Sequence, residues 1–313
     1  MSLIDVHAHF LPDQYRDALA TAGIDQPDGF PRVPSWSAAE HVAVMDRLGI
    51  RSAVLSVSSP GVQFGDGITA SDAVGLARHV NDVAAATIAQ HPGRFGAFAS
   101  LPMGDVDESL AEIERALDGL GLDGINVLTN VAGVYLGDAS LEPVMAELNR
   151  RNAVVFIHPT SPACWECTSL GYPRPMIEVP FDTTRAVTNL LLSGAFTRHP
   201  DIRWIVPHAG GTLPFLAPRI AGISALLGAD DPAAVVAQLR RLHYDLAGSA
   251  NPPVVAALMG FVERSQVLYG SDWPFTPEQI VGAGLGWVNG GDNPISPDEM
   301  TTAAVRLFPR FSC

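Results

Sequence analysis

Leu3-Ile4-Asp5-Val6-His7-Ala8-His9 begins as an apolar run and ends on two histidines one residue apart, just before Phe10-Leu11-Pro12. In a strand, side chains i and i+2 leave the same face. His7 and His9 therefore project together, like the jaws of a pincer. Neutral imidazole is the commonest side-chain metal ligand and suits zinc, iron and nickel. Such a pair also arises by chance at strand ends, so its meaning depends on whether the rest of the chain repeats the arrangement.

It does repeat. Downstream, short apolar runs read as strands at Ala53–Val57, Phe95–Leu101, Gly124–Leu128, Ala153–Ile157, Ile202–Val206, His243–Leu246 and Val267–Gly270. Helical patterns separate them: 37–48 after the capping box Ser37-Ala38-Ala39-Glu40, then 71–90, 107–117, 141–151, 182–192, 213–227, 233–241 and 253–262. Residues 10–36, rich in Pro, Gly and Asp, read as an excursion over the barrel mouth. Residues 159–177, proline-rich and carrying Cys164, Trp165 and Cys167, read as a long lid after strand five. Apolar runs without alternation suit strands buried on both faces of a parallel sheet. Eight such units predict an α/β protein, a (β/α)8 TIM barrel, with residues 1–313 as a single domain.

Polar residues fall at the ends of these strands. His7 and His9 end strand one, His158 strand five, His208 strand six and Asp272 strand eight. In a barrel all strand C-termini open on one face, which carries the active site. Four nitrogen and oxygen ligands for one divalent metal are thereby on offer, with another histidine close by. The remaining histidines favour structural readings: His41 and His79 lie in helices, His91 and His199 precede proline at helix ends, and His243 starts strand seven. Asn126, Thr129 and Asn130 end strand four and are candidates to touch substrate. Cys164-Trp165-Glu166-Cys167, with no second pair nearby, reads as two free thiols in the lid, with Trp165 lining the site.

Composition narrows the function. The net charge is −14, from 33 acidic and 19 basic residues, and every basic residue is arginine. So acidic a surface argues against nucleic acid as a partner. With no lysine in the chain, a Schiff-base lysine, a P-loop lysine and a carbamylated lysine bridging two metals are all ruled out. No uninterrupted apolar run is long enough for a bilayer. Three cysteines, Cys164, Cys167 and Cys313, fit a reducing cytoplasm.

The segments Ile4-Asp5-Val6-His7-Ala8-His9-Phe10, Phe156-Ile157-His158-Pro159, Val206-Pro207-His208-Ala209-Gly210-Gly211 and Tyr269-Gly270-Ser271-Asp272-Trp273-Pro274-Phe275 resemble the amidohydrolase superfamily over essentially the whole chain. More narrowly they resemble its decarboxylase branch, which includes aminocarboxymuconate semialdehyde, γ-resorcylate and 6-methylsalicylate decarboxylases. Ser58-Ser59-Pro60-Gly61, Leu128-Thr129-Asn130 and His158-Pro159-Thr160 are most similar to the 6-methylsalicylate group. The resemblance implies that His7, His9, His158 and Asp272 hold one metal, with His208 beside it handling protons. It implies Zn2+, although three imidazoles and a carboxylate would also accept Mn2+ or Co2+. Two departures stand out from the γ-resorcylate pattern: His7 replaces a glutamate, and Gly211 and Thr212 replace an acidic residue. Arg219 matches an arginine that reaches a neighbouring subunit's site, which implies a homodimer and a role in substrate binding. Arg32 matches a second carboxylate-binding arginine more loosely.

The function expected from this is metal-dependent, non-oxidative decarboxylation of a small aromatic acid with an ortho hydroxyl, similar to 6-methylsalicylate. His208 or Asp272 would protonate the ring carbon, and CO2 would leave as aromaticity returns. A mononuclear hydrolase of a lactone or amide would use the same ligands. A non-catalytic metal-binding barrel is the reading from another class, and an open metal position beside His208 argues against it.

Overall fold

The computed structural model describes residues 3–64, 67–228 and 231–312. Eight parallel strands lie side by side in chain order. They are β1 (Leu3–His9), β2 (Ile50–Ser56), β3 (Phe95–Ser100), β4 (Gly124–Leu128), β5 (Val154–His158), β6 (Arg203–Val206), β7 (His243–Asp245) and β8 (Val267–Leu268). Parallel neighbours need crossovers, and helices outside the sheet supply them. The sheet closes on itself beyond β8. Val6 N–H donates to Tyr269 O at 2.9 Å, Asp272 N–H to His7 O at 2.8 Å and His9 N–H to Trp273 O at 2.8 Å. This is the expected (β/α)8 barrel.

Burial explains the strand sequences. Every residue of β1, β3 and β5 is buried, so none of these strands alternates. The barrel interior is filled by Ile4, Val6, Val54, Phe98, Val154, Phe156, Ile205 and Leu268. Phe98 and Phe156 stack there at 5.2 Å. Ala303, Ala304, Leu307 and Phe308, at the end of the chain, cover the interior at the closed end. A larger apolar layer fills the space between sheet and helices.

One irregularity positions the site. Ile4 and Val6 belong to the interior cluster, which puts even-numbered residues on the inner face of β1. Yet the His7 ring also meets the interior, 4.8 Å from Phe156. Between Asp5 and Ala8, β1 runs three steps while β2 runs two, from Ala53 to Leu55. This bulge re-aims the strand, so that odd-numbered His7 and His9 take over the inner face at its end.

Elsewhere the helices follow their local signals. Ser37 accepts from Glu40 N–H at 3.2 Å, and Gly49 (φ 71°) ends helix Ala38–Leu48. Two expectations change. The excursion 10–36 contains helix Asp13–Thr21, because Tyr15 and Leu19, one turn apart, bury one face. The helix expected from Asp182 begins at Glu178, since Pro180 in its first turn lacks only an N–H that has no intrahelical partner there. Within 159–177 there are only a four-residue helix, Trp165–Thr168, and a 3-10 turn, Arg174–Met176. Among the described residues no helix is long and apolar enough to cross a membrane.

Candidate active site

The strand ends bring His7, His9, His158 and Asp272 together. One nitrogen or carboxylate oxygen from each lies within 4.8 Å of all the others. The imidazole centroids are 5.0 Å apart for His7 and His9, 4.8 Å for His9 and His158, and 5.5 Å for His7 and His158. His9 Nε2 is 2.9 Å from Asp272 Oδ1. His7 Nε2 lies 3.5 Å from the same oxygen and has no hydrogen-bond partner among the described residues, although it is buried. A buried nitrogen left without a partner costs free energy unless something else fills the place. Three imidazoles and a carboxylate at this spacing fit one divalent metal ion.

The far side of each ring is held by protein groups, as metal-binding histidines require. His7 Nδ1 is 3.0 Å from Asp245 Oδ2. His9 Nδ1 faces Ser56 O at 3.2 Å and Ser56 Oγ at 3.0 Å. His158 Nδ1 is 2.7 Å from Pro159 O. In all three residues Nε2 is the nitrogen turned to the centre. Glycine is needed beside them: a Cβ on Gly270 would lie 2.8 Å from His7 Cβ, which packed atoms do not tolerate.

The electrostatics are split within the cluster. Burial pushes His9 below its ordinary range and, with the neighbouring imidazoles, His158 well below it, so both are neutral and ready to ligate. Burial would also depress His7, but the Asp245 and Asp272 carboxylates outweigh it and raise His7 to about 10. Burial would raise Asp272, but the imidazoles of His208, His7 and His9 around it hold its carboxyl well below the usual range. Asp5 is raised to about 7 by burial, which its bonds from Ser271 and His7 backbone N–H do not offset.

His208 stands beside the four, not among them. Its ring centroid is 5.0 Å from that of His7, and its Nε2 is 3.9 Å from Asp272 Oδ2. Its Nδ1 has no partner among the described residues, so no hydrogen bond fixes its tautomer. The His208 and Asp272 side chains keep 17% and 18% of their surface exposed, while His7 and His9 keep none. The two groups open to an approaching molecule are therefore His208 and Asp272.

Above them lies a cavity of about 280 Å3. Its floor is polar, with His158, His208 and Asp272 beside Ser58 and Ser59. Its walls are largely apolar: Phe30, Pro159, Pro175, Val179, Pro180 and Phe275. Among the described residues, no arginine lines it.

The other candidate residues lie elsewhere. Asn130 is buried and already bonded, donating to Ser161 O and Asp182 Oδ2 and accepting from Gly133 N–H. Trp165 lines an outer groove and carries the Arg174 guanidinium over its ring at 4.0 Å. Arg219 is exposed on helix Leu213–Leu226 and does not line the cavity, and neither does Arg32. Asn126 donates to Val57 O at 2.8 Å, and Thr129 to Asp182. Cys164 and Cys167 are exposed free thiols, and Cys313 lies outside the described residues. The residue that sequence reading missed is Asp245. It ends a strand, as the other site residues do, and that position was its only signal.

Barrel and donor cluster together define a metal-dependent enzyme of the (β/α)8 class. The family described as amidohydrolase matches residues 4–301, and the chain belongs to it. Decarboxylase yanB of Aspergillus niger is 38% identical, the match covering 99% of this chain and 88% of that one. The 6-methylsalicylic acid decarboxylase of Penicillium expansum is 37% identical, over 99% and 97%. A crystal structure of a Polaromonas dihydroxybenzoic acid decarboxylase, with bound manganese and the inhibitor 2-nitroresorcinol, has the same fold. Its TM-score is 0.83 at 22% identity, over 98% of this chain and 97% of that one.

Proposed function

We propose that the protein, acting as one unit over its whole length, removes the carboxyl group of a single-ring aromatic acid with an ortho hydroxyl, similar to 6-methylsalicylate. The observation that carries this reading is the cavity itself: a donor cluster for one metal beneath apolar walls, with no arginine to receive a second carboxylate. The 6-methylsalicylic acid decarboxylase among the relatives supports the same substrate class.

His7, His9, His158 and Asp272 would hold the metal; we propose Zn2+, with Mn2+ the alternative suggested by the Polaromonas enzyme. When bound, the ion supplies Lewis acidity and a template for the substrate's carboxylate and neighbouring oxygen. The walls orient the ring and exclude water; Phe30 and Phe275 meet edge to face at 5.4 Å on one side. His208 gives a proton to the ring carbon that bears the carboxyl, and Asp272 Oδ2, 3.9 Å away, steadies the imidazolium. The C–C bond then breaks, its electron pair returns to the ring, and CO2 leaves. Segment 159–177 acts as the lid: Pro159 and Pro175 already border the cavity.

A homodimer and a cytoplasmic location complete the proposal. Helix Leu213–Leu226 exposes Phe215, Ile223 and Leu226 on one stripe, with Arg219 between them. An unpartnered apolar stripe of this kind supports association with a second copy. The exposed thiols Cys164 and Cys167 support a reducing compartment.

The test is turnover by metal-loaded protein offered 6-methylsalicylate, 2,6-dihydroxybenzoate and a lactone panel. CO2 release from a monocarboxylate is expected. Lactone hydrolysis without CO2 from any aromatic acid would overturn the reading.

A further inference from the structure

We propose that Asp245 is a two-ended positioning residue, fixing with one carboxylate both the tautomer of the metal ligand His7 and the backbone placement of His208. The side chain is fully buried at the end of β7. Its Oδ2 faces His7 Nδ1 at 3.0 Å. Its Oδ1 accepts from the backbone N–H of His208 at 3.1 Å and of Ala247 at 2.9 Å.

Each end has a distinct consequence. An ionised carboxylate only accepts hydrogen bonds, so Oδ2 requires a proton on Nδ1 of His7. That leaves the lone pair on Nε2, the nitrogen turned towards His9, His158 and Asp272. At the other end, His208 has φ 53° and Ala209 φ 55°, a left-handed stretch that residues with a Cβ adopt only under constraint. The bond from His208 N–H to Oδ1 is that constraint at its first residue. One side chain therefore links the metal centre to the proton-handling group, although it touches neither metal nor substrate.

Asparagine separates the two ends. In Asp245→Asn the two backbone N–H groups still need an acceptor, so the amide oxygen stays with them and the NH2 turns to His7. A donor there forces the proton of His7 onto Nε2, the ligating nitrogen. We expect Zn2+ affinity, measured by chelator competition without substrate, to fall about 10- to 100-fold. In 15N imidazole spectra of the Zn2+-loaded protein, His7 Nδ1–H should be strongly hydrogen-bonded in the parent and should lose that bond in the variant. With saturating Zn2+, kcat should recover, because His208 keeps its place. Asp245→Ala loses both ends, and its kcat should stay low at saturating metal.

An Asp245→Asn protein that binds Zn2+ within about twofold of the parent would overturn the first half. An Asp245→Ala protein that regains full kcat at saturating Zn2+ would overturn the second. The kcat comparison rests on the decarboxylase reading and the affinity measurement does not. A parent enzyme inactive on every acid would therefore count against that reading, while the tautomer half would still be decided by affinity and spectra.

Discussion

His208 and Asp272 both hold left-handed backbone conformations, at φ 53° and 59°. Such conformations cost about 1 kcal/mol or more for a residue with a Cβ, and they cluster where function needs them. Here they aim two side chains at the cavity floor. Because His208 is not one of the four clustered donors, His208→Gln should leave metal content unchanged. It should slow CO2 release about 100-fold or more, as measured by single-turnover assay. The four donors were legible in the sequence because histidine and aspartate at barrel strand ends are distinctive. Asp245 was not, since one acidic residue in a three-residue strand looks like a solvated edge. Arg219 suggested a substrate contact by resemblance and Trp165 by its place in the expected lid, whereas their own surroundings are an exposed helix face and an outer groove.

Elements carry a second layer of organisation around Asp182. This buried carboxylate accepts from Thr129 Oγ1 (2.5 Å), Tyr135 OH (2.5 Å), Asn130 Nδ2 (3.0 Å) and Arg185 (2.7 Å). It ties the end of β4 to helix Glu178–Leu192. Thr129 Oγ1 in turn accepts from Thr160 N–H at 3.2 Å, two residues past His158. Asp182→Ala leaves several buried donors without an acceptor, so a loss of about 2–4 kcal/mol is expected in urea unfolding. The strands were legible to within a few residues because burial on both faces leaves plain apolar runs. The bulge in β1 was not. It arises from the pairing of β1 with β2, and a lone strand carries no trace of its partner's spacing. The i, i+2 pairing of His7 and His9 survived the bulge, since both rings still meet at the end of the strand.

For the whole molecule, the apolar stripe on helix Leu213–Leu226 makes association the central expectation. Light scattering should give a dimer mass. Replacing Leu226, 86% exposed, with glutamate should give monomers, because the charge would have to be buried against the second copy. A monomeric parent protein would remove that element of the proposal. The barrel as a class was legible from rhythm alone. The apolar stripe was not, since an exposed leucine is unremarkable until its neighbours on the stripe are known.

Closure of the barrel has one more consequence. Its seam is the contact between β1 and the segment after β8, where Asp272 N–H meets His7 O and His9 N–H meets Trp273 O. The donor set straddles that seam, with His7 and His9 supplied by the first strand of the barrel and Asp272 from just after the last. All eight strands therefore leave the ribosome before Asp272 does, and a complete binding place for the ion cannot exist earlier. An ion held there would rivet the first strand of the barrel to the segment that follows the last.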